Sequence, residues 1–239
     1  MIKFFRHIRK TLLNEGKTSK YLKYAIGEIV LVVIGILIAL QINNWNIKRI
    51  NDKAQTKLLK ELLADSKSDS VFYNSRMHFL HRHINLVNNL NSIHNNSASD
   101  SLKNRITDEL AVFDLTIAYQ SSVVLNFRTK IDEIASDSIQ GLLREYILQY
   151  HYIELAYEQK DRSFEKYAGS KLLEYSEQLF SLDSTNTLND LYNTIDYDKH
   201  HKLINFLTGT VENSRLRTRI LLNVNYELIN NIEAVLNSK

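Results

Sequence analysis

Three histidines form the densest group of potential metal ligands in this sequence. His78 and His81 lie three residues apart, so on a helix they share a face from which imidazole can bind a metal. His83 lies off that face, and no Glu-x-x-His or His-Glu-x-x-His pattern accompanies the three residues. We interpret them as solvated surface histidines. The adjacent His200 and His201 fall on different faces of a helix, and we interpret them in the same way.

A second group consists of three carboxylates that are neighbours on a predicted helix, namely Glu154, Glu158 and Asp161. The cations Lys160 and Arg162 interleave with them, and no second Glu-x-x-His motif completes a di-metal site. We therefore expect a solvated helix face here.

Tyrosines recur along the same predicted helix at spacings partly compatible with one face, which favours packing in a core over a cofactor site. They include Tyr146, Tyr150, Tyr152 and Tyr157. The sequence has no cysteine and no nucleophile-elbow, P-loop or dinucleotide fingerprint. We predict no catalytic residue, no bound metal, no cofactor and no enzymatic activity.

The composition predicts long helices, because the chain has no proline and only six glycines among 239 residues. The net charge of +3 is unevenly distributed. Residues 1–24 carry seven Lys and Arg against one Glu, whereas residues 48–239 are slightly acidic. Basic side chains therefore cluster only beside the apolar segment, where anionic lipid is the expected partner and nucleic acid is not.

That apolar segment predicts a membrane anchor over residues 24–45. Residues 29–40 are strongly apolar, and Tyr24 and Trp45 lie at the two ends about 32 Å apart on a helix, which matches the hydrocarbon thickness. Glu28 lies near one end of the segment, so the free energy needed to insert its charge into the membrane is lower than for a charge at the bilayer midplane. No Ala-x-Ala-like cleavage site follows, and we expect the helix to be retained. The predicted anchor residues are Tyr24, Glu28, Ile29, Val33, Gly35, Ala39, Leu40 and Trp45.

The basic tail of residues 1–23 favours an N-terminus inside and residues 46–239 outside, because a short basic tail is hard to translocate. Apolar residues at helical spacing in this tail leave two interpretations, an amphipathic helix on the membrane surface or a plain topogenic tail. The predicted membrane-surface cations are Lys3, Arg6, Arg9, Lys10, Lys20 and Lys23.

The segment 20–46, which reads KYLKYAIGEIVLVVIGILIALQINNWN after an MIKFFR start, resembles a bacterial family of uncharacterised single-pass inner-membrane proteins. The resemblance implies anchoring in a bacterial inner membrane and implies no activity or ligand.

The remainder predicts an all-α fold in which the transmembrane helix continues into an extracytoplasmic bundle of three long helices plus shorter ones. We expect a polar interruption or bend at residues 66–70 and a loop at residues 94–99. Shorter helices are expected at residues 102–126, although residues 123–127 also resemble a strand. The second long helix is expected from Ser136 or Asp137 to about Leu182, and the last covers residues 200–237.

These features favour a membrane-tethered helical interaction or scaffold module in the bacterial envelope. The partner is either a second copy of the chain or another envelope protein. Gly35 and Ala39 form a small-xxx-small pair that permits close helix approach. The alternative function is a ligand-sensing ectodomain that signals through a partner, because residues 1–23 are too few for a signalling domain.

Overall fold

The computed structural model describes residues 18–106, 120–179 and 186–238, and within them no residue belongs to a β-strand. The all-α prediction is confirmed for these residues, and so is one long apolar helix near the N-terminus. A 3₁₀ turn covers Ile131–Glu133. The α-helices are α1 (Thr18–His94), α2 (Asp100–Lys103), α3 (Ser122–Phe127), α4 (Asp137–Leu179), α5 (Leu188–Thr194) and α6 (Tyr197–Asn237).

Local sequence sets the ends of these helices. Helix α1 ends at His94 in the predicted loop, where Asn96 adopts the left-handed conformation (φ 56°) that Asn tolerates better than most residues. Ser99 then caps α2 by accepting a hydrogen bond from the Leu102 N–H. Helix α5 begins with a capping box, in which Thr187 and Asp190 each bind the other's backbone N–H.

The chain divides into two compact units, residues 1–57 and residues 58–239. In the first unit, the described residues from Thr18 onward are helical, and nearly all side chains of residues 25–57 are exposed. The second unit has a continuous hydrophobic core to which α1, α3, α4 and α6 contribute. A smaller cluster joins the C-terminal part of α1 to α5 and to Tyr197 at the start of α6.

Hydrogen bonds between helices define the packing of the second unit. Tyr157 on α4 contacts Thr218 on α6, and Ser138 near the start of α4 contacts Asn231 near the end of α6, so these two helices are antiparallel. Helix α1 is also antiparallel to α6, as the pairing of residues 66 and 91 with residues 225 and 205 shows. The three long helices thus form a bundle in which α6 is antiparallel to α1 and α4, and α1 and α4 run parallel to each other.

Residues 66–70 do not interrupt α1, which is continuous from Thr18 to His94, so that part of the expectation was wrong. Ser66, Asp69 and Ser70 are buried in the second unit, where they hydrogen-bond other parts of the chain. Residues 123–127 form a helix and not the alternative strand, since Ser121 caps a short helix there and Val123 and Phe127 are buried. Residues 107–119 and 180–185, which include part of the predicted shorter helices and the predicted end of α4, lie outside the described residues.

We expect the core to respond to truncation according to burial. Leu143 and Leu148 both lie on α4, but Leu143 is fully buried and Leu148 is 45% exposed. Leu143→Ala should lower the free energy of unfolding by about 2–5 kcal/mol, because it removes core contacts and leaves a cavity. The matched Leu148→Ala should cost well under half of that. Thermal and chemical unfolding of the full chain in detergent, followed by circular dichroism, measures both; equal losses would contradict the core assignment.

Candidate functional site

The apolar segment of α1 exposes its side chains on every face. All ten Leu, Ile and Val residues between Ile29 and Leu40 are 46–63% exposed, and none of this apolar window is buried. The helix is long and apolar enough to cross a membrane by length and composition. Contiguous apolar surface of this extent is unfavourable in water, so this segment is suited to a hydrocarbon environment.

The flanks of this segment carry polar and charged side chains. Lys23 is exposed and Glu28 is half-buried at one end, while at the other end Arg49 lies 5.5 Å from the ring centre of the exposed Trp45. Gly35 has open space around it, since a Cβ added there would meet no atom within 4 Å. Lys3, Arg6, Arg9 and Lys10 lie outside the described residues, as do the side chains of Lys20 and Tyr24.

In the second unit, the most strongly bonded buried group is the carboxylate of Asp69, which is 2% exposed. It accepts hydrogen bonds from the Ser121 hydroxyl (2.6 Å), the Tyr146 hydroxyl (2.6 Å) and the backbone N–H groups of Ser122 (2.8 Å) and Val123 (3.2 Å). The carboxylate therefore ties the start of α3 and the side of α4 to α1. Four donors compensate its removal from water, which is the condition under which a buried charge is tolerated.

A second buried polar contact joins α1 to α6. Asn225 donates through its amide nitrogen to the backbone carbonyl of Ser66 (2.7 Å) and to the Ser70 hydroxyl (2.9 Å). Further along, Tyr157 is hydrogen-bonded to Thr218 at 3.1 Å, and Ser214 donates to the Ala156 carbonyl. Polar side chains thus connect the three long helices at several levels of the core.

Burial raises the pKa of the tyrosine hydroxyls in this core. Desolvation raises the pKa of Tyr157 to about 12, with the hydrogen bond between Tyr157 and Thr218 acting in the opposite direction. The pKa of Tyr146 is held well above its usual value, first by burial and then by the negative charge of Asp69. These hydroxyls remain protonated donors throughout the physiological range.

The structure corrects two of the predicted surface side chains on α1 and α4. His78 and His81 are exposed as expected, but His83 is only 1% exposed and hydrogen-bonds Thr208 at 3.1 Å. Lys160 was placed on a solvated face, yet it is also 1% exposed and its ammonium pairs with Asp161. For His83 a neighbouring helix supplies the polar partner, whereas Lys160 is buried with its partner on its own helix.

A cluster of ring side chains surrounds Asp198 where α1 ends and α6 begins. Asp198 accepts hydrogen bonds from Tyr192 and from the imidazole of His94 (2.9 Å), and these contacts lower the pKa of its carboxyl, Tyr192 contributing most. His201 stacks on His94 with ring centres 4.2 Å apart. His200, interpreted from the sequence as solvated, is buried here at 8% exposure.

An open groove of about 460 Å³ runs between α1 and α6 in the second unit. Glu212 and Arg215 form a two-point ion pair on one wall, and Asn85 is hydrogen-bonded to His81 on the other. Gly209 leaves open space in the groove, because a Cβ there would meet no atom within 4 Å. Side chains in the groove offer both donors and acceptors to a small polar molecule. The lining comprises His81, Ile84, Asn85, Asn88, Thr208, Gly209, Glu212 and Arg215.

The predicted carboxylate group forms local pairs. Glu154 contacts His151, Glu158 contacts Arg162, and Asp161 contacts Lys160. Within the described residues, no group of three or more His, Asp and Glu side chains is arranged to hold a metal ion. Of the tyrosines on α4, Tyr146 and Tyr157 are buried in the core, Tyr150 is partly buried against it, and Tyr152 is 39% exposed.

Sequence reasoning missed Asp69 as a structural centre. The sequence does place Asp69 on an apolar helical stripe, because Leu62, Asp69 and Tyr73 are separated by seven and four residues. An acidic residue in an otherwise apolar stripe indicates a buried carboxylate with donors supplied by another part of the chain. The donors come from Ser121 and Tyr146, which are 52 and 77 residues away, so their meeting depends on tertiary structure.

Comparison with known families gives one match. The model of the Family of unknown function (DUF6090) matches residues 28–190, which is more than half of the chain and includes most of the apolar segment. No curated protein and no solved structure matches the chain significantly.

We expect Asp69→Asn to destabilise the fold by about 2–4 kcal/mol, because an amide nitrogen replaces one charged acceptor and leaves buried donors unpaired. The control is Asp65→Asn, one helical turn earlier, where the carboxylate accepts a hydrogen bond from the exposed amide of Asn126. This substitution should change the free energy of unfolding by less than about 0.5 kcal/mol. Chemical unfolding of both variants checks the difference. Similar stabilities for the two variants would show that Asp69 does not hold the helices together.

The buried tyrosines also predict a loss of stability at alkaline pH. Because the folded-state pKa of Tyr157 is raised, its contribution is complete below about pH 10, where the unfolded side chain ionises, and is lost as the pH rises through about 12. Between about pH 10 and 12, the free energy of unfolding of the wild-type chain should therefore fall by about 2–3 kcal/mol more than that of Tyr157→Phe. Unfolding curves of both proteins from pH 9 to 12 measure the difference between their free energies of unfolding. A difference that stays constant with pH would contradict the raised pKa of Tyr157.

Proposed function

The chain belongs to the Family of unknown function (DUF6090), and we propose that it is a membrane-tethered helical interaction or scaffold module of the bacterial envelope. The observation that carries this proposal is the ring of exposed apolar side chains on α1 between Ile29 and Leu40. On insertion scales these residues contribute about −3 to −6 kcal/mol, which outweighs the cost of Glu28 near one end. The segment serves as a single-pass anchor in the inner membrane.

The orientation follows from the charges on either side of the anchor. Seven Lys and Arg residues precede it among residues 1–23, against five that follow it among residues 46–65, and the side richer in Lys and Arg stays in the cytoplasm. The N-terminus therefore stays in the cytoplasm and the second unit lies in the periplasm. The tail also places cations against the anionic inner surface of the membrane.

The interior of the second unit supports a role as an interaction module with no catalytic activity. The carboxylate of Asp69 is fully engaged in holding helices together, and the amide nitrogen of Asn225 bonds two groups on α1. The Asp69 carboxylate and the Asn225 amide nitrogen are hydrogen-bonded between helices and do not converge on an open site. Val71 (75%) and Leu125 (72%) are strongly exposed apolar side chains of this unit and are suitable positions from which to probe for a protein partner.

Site-specific labelling tests the topology, since the chain has no cysteine of its own. Lys10→Cys reports on the basic tail and Leu125→Cys on an exposed position of the second unit. A membrane-impermeant maleimide should label the Leu125→Cys chain in intact spheroplasts, whereas Lys10→Cys should react only after permeabilisation. The opposite pattern would overturn the proposed orientation.

Membrane attachment and partnership need separate measurements. The chain should stay in the membrane pellet after carbonate extraction, and replacing Val33 and Ile36 by Asp should release it, because charges near the bilayer centre are costly. Photocrosslinkers placed at Val71 and Leu125 should then capture a common envelope protein. Release of the wild-type chain by carbonate would refute the anchor, and failure of both crosslinkers to give a discrete product would refute the interaction role at these surfaces.

The groove between α1 and α6 favours a second candidate, a ligand-sensing ectodomain that relays its signal through a partner. Its volume of about 460 Å³ falls within the range of small-molecule sites, and its lining combines an ion pair with amide side chains. Native mass spectrometry of the gently purified chain would detect a retained small molecule.

Two glycine substitutions provide the control for this alternative. Gly209→Leu fills the groove and Gly141→Leu changes an equally open glycine on α4, so both alter helix propensity in the same way. Loss of the retained molecule with Gly209→Leu alone would support sensing. Absence of a retained molecule, or its survival in both variants, would argue against this groove as a sensor site.

A further inference from the structure

The part of α1 that follows the apolar segment has an exposed apolar seam. Ile47, Ile50 and Ala54 are spaced by three and four residues, so they lie on one face of the helix. Ile47 is 48% exposed and Ile50 is 55% exposed, within the unit of residues 1–57. Polar and charged residues make up the rest of residues 46–57, so the seam is a feature of the sequence and does not merely extend the apolar anchor.

The same spacing continues backward into the anchor without a break. Asn43, Leu40, Ile36, Val33 and Ile29 follow at alternating intervals of four and three residues. Because apolar side chains occupy every face of residues 29–40, those positions are compatible with the heptad pattern but do not select it. The pattern is set by residues 43–54, where Ile47, Ile50 and Ala54 are separated by polar and charged residues. We call these eight positions, from Ile29 to Ala54, the heptad seam.

Most charges in the juxtamembrane part lie on the side away from the heptad seam. Lys48, Arg49 and Asp52 occupy b, c and f positions, which point away from a coiled-coil partner, whereas Lys53 occupies a g position at the border of the seam. The Arg49 guanidinium is held on this outer side, 3.0 Å from the Asn46 amide oxygen and over the ring of Trp45.

The borders of the seam from residue 44 to residue 51 are uncharged. Asn44 and Asn51 occupy e positions and Asn46 a g position. The same segment of a second copy of the chain can therefore approach residues 44–51 without repulsion between like charges at the e and g positions.

We infer that the heptad seam packs in parallel against the heptad seam of a second copy of this chain. The inference rests on the proposed membrane anchoring, because insertion gives both copies the same direction and places identical residues at identical depth. Self-association in register then pairs Ile47 with Ile47 and Ile50 with Ile50, and it places the two Asn43 amides together. A lone Asn at a core position favours one register, since any slip leaves its amide against apolar side chains.

This interface differs from the one that Gly35 and Ala39 would form. Those small residues occupy c and g positions of the heptad pattern, so they lie off the seam. Continued along the helix, the small-residue face passes through residues 42, 46, 49 and 53. The two interfaces therefore predict different sets of close positions in the segment just outside the membrane.

Disulfide scanning distinguishes these interfaces, and the chain offers no background because it has no native cysteine. Single cysteines at each position from 42 to 54 are introduced into the full chain and oxidised in its own membranes. Disulfides require Cα atoms within about 7 Å, which a parallel pair provides only along its contact seam. Dimer yields should be several-fold higher at residues 47, 50 and 54 than at residues 48, 49 and 52.

Maxima at residues 42, 46, 49 and 53 would overturn the heptad seam in favour of the small-residue face. Uniform or absent crosslinking would overturn close self-association altogether. Carbonate extraction of the same membranes separates this failure from that of the anchor, because a retained chain without periodic crosslinks refutes only the dimer. A chain released by carbonate refutes the membrane proposal itself.

A second measurement avoids disulfide chemistry. Ile47→Ser with Ile50→Ser should abolish co-purification of two differently tagged copies, because it removes the apolar contacts outside the membrane. Lys48→Ser with Asp52→Ser is the matched control on the outer face and should leave co-purification intact. All four side chains are exposed, so neither pair disturbs a core; loss of co-purification in both variants or in neither would contradict the proposed interface.

Discussion

Ten exposed Leu, Ile and Val side chains surround one helix between Ile29 and Leu40, and they cannot remain in water at low free energy. A soluble helix places its apolar residues on one stripe and packs that stripe against a core. Here the apolar residues occupy every face, so no single neighbouring element of a small bundle can cover them. The need to remove this surface from water dominates the behaviour of residues 18–57 and motivates the proposed anchor.

The second unit solves a different problem, which is how three long helices with many polar residues make a specific core. Asp69 collects four hydrogen bonds from α1's neighbours, and Asn225 repeats the same device between α1 and α6. Apolar packing alone permits several helix registers that differ little in free energy. Buried polar contacts penalise the wrong registers, because a shifted helix leaves the carboxylate of Asp69 without its donors.

The two units therefore use polarity in opposite ways, and this difference bears on function. In the second unit, polar side chains are buried and consumed by the fold, which suits a stable body that presents a surface. In residues 43–57, they border an exposed apolar seam and leave it free for a like helix. A groove that contains the Glu212–Arg215 ion pair lies elsewhere, in the second unit. The proposed self-association shares residues 29–40 with the proposed anchor, but its juxtamembrane part, Ile47 and Ile50, and the groove can each be changed by substitution without altering the apolar segment.

Sequence alone was sufficient for the helical class, the long apolar helix and the loop after His94. Each of these depends on local signals, namely the absence of proline, a run of branched apolar residues and an Asn-rich turn. Cap residues and the same periodicity also located the start of α4 and both ends of α6 to within a few residues.

Tertiary structure decided which polar residues are buried. His83, Lys160 and His200 were assigned to solvent from their spacing, and all three are buried. His83 meets Thr208 on α6 and Asp69 meets Tyr146 on α4, so the partners of these two side chains lie on other helices, whereas Lys160 pairs with Asp161 on its own helix. Burial of a polar group is favourable only when a distant donor or acceptor arrives at the right depth. A one-dimensional pattern records the periodicity of a side chain but contains no direct record of the partner that meets it, and that meeting is determined only when the helices pack.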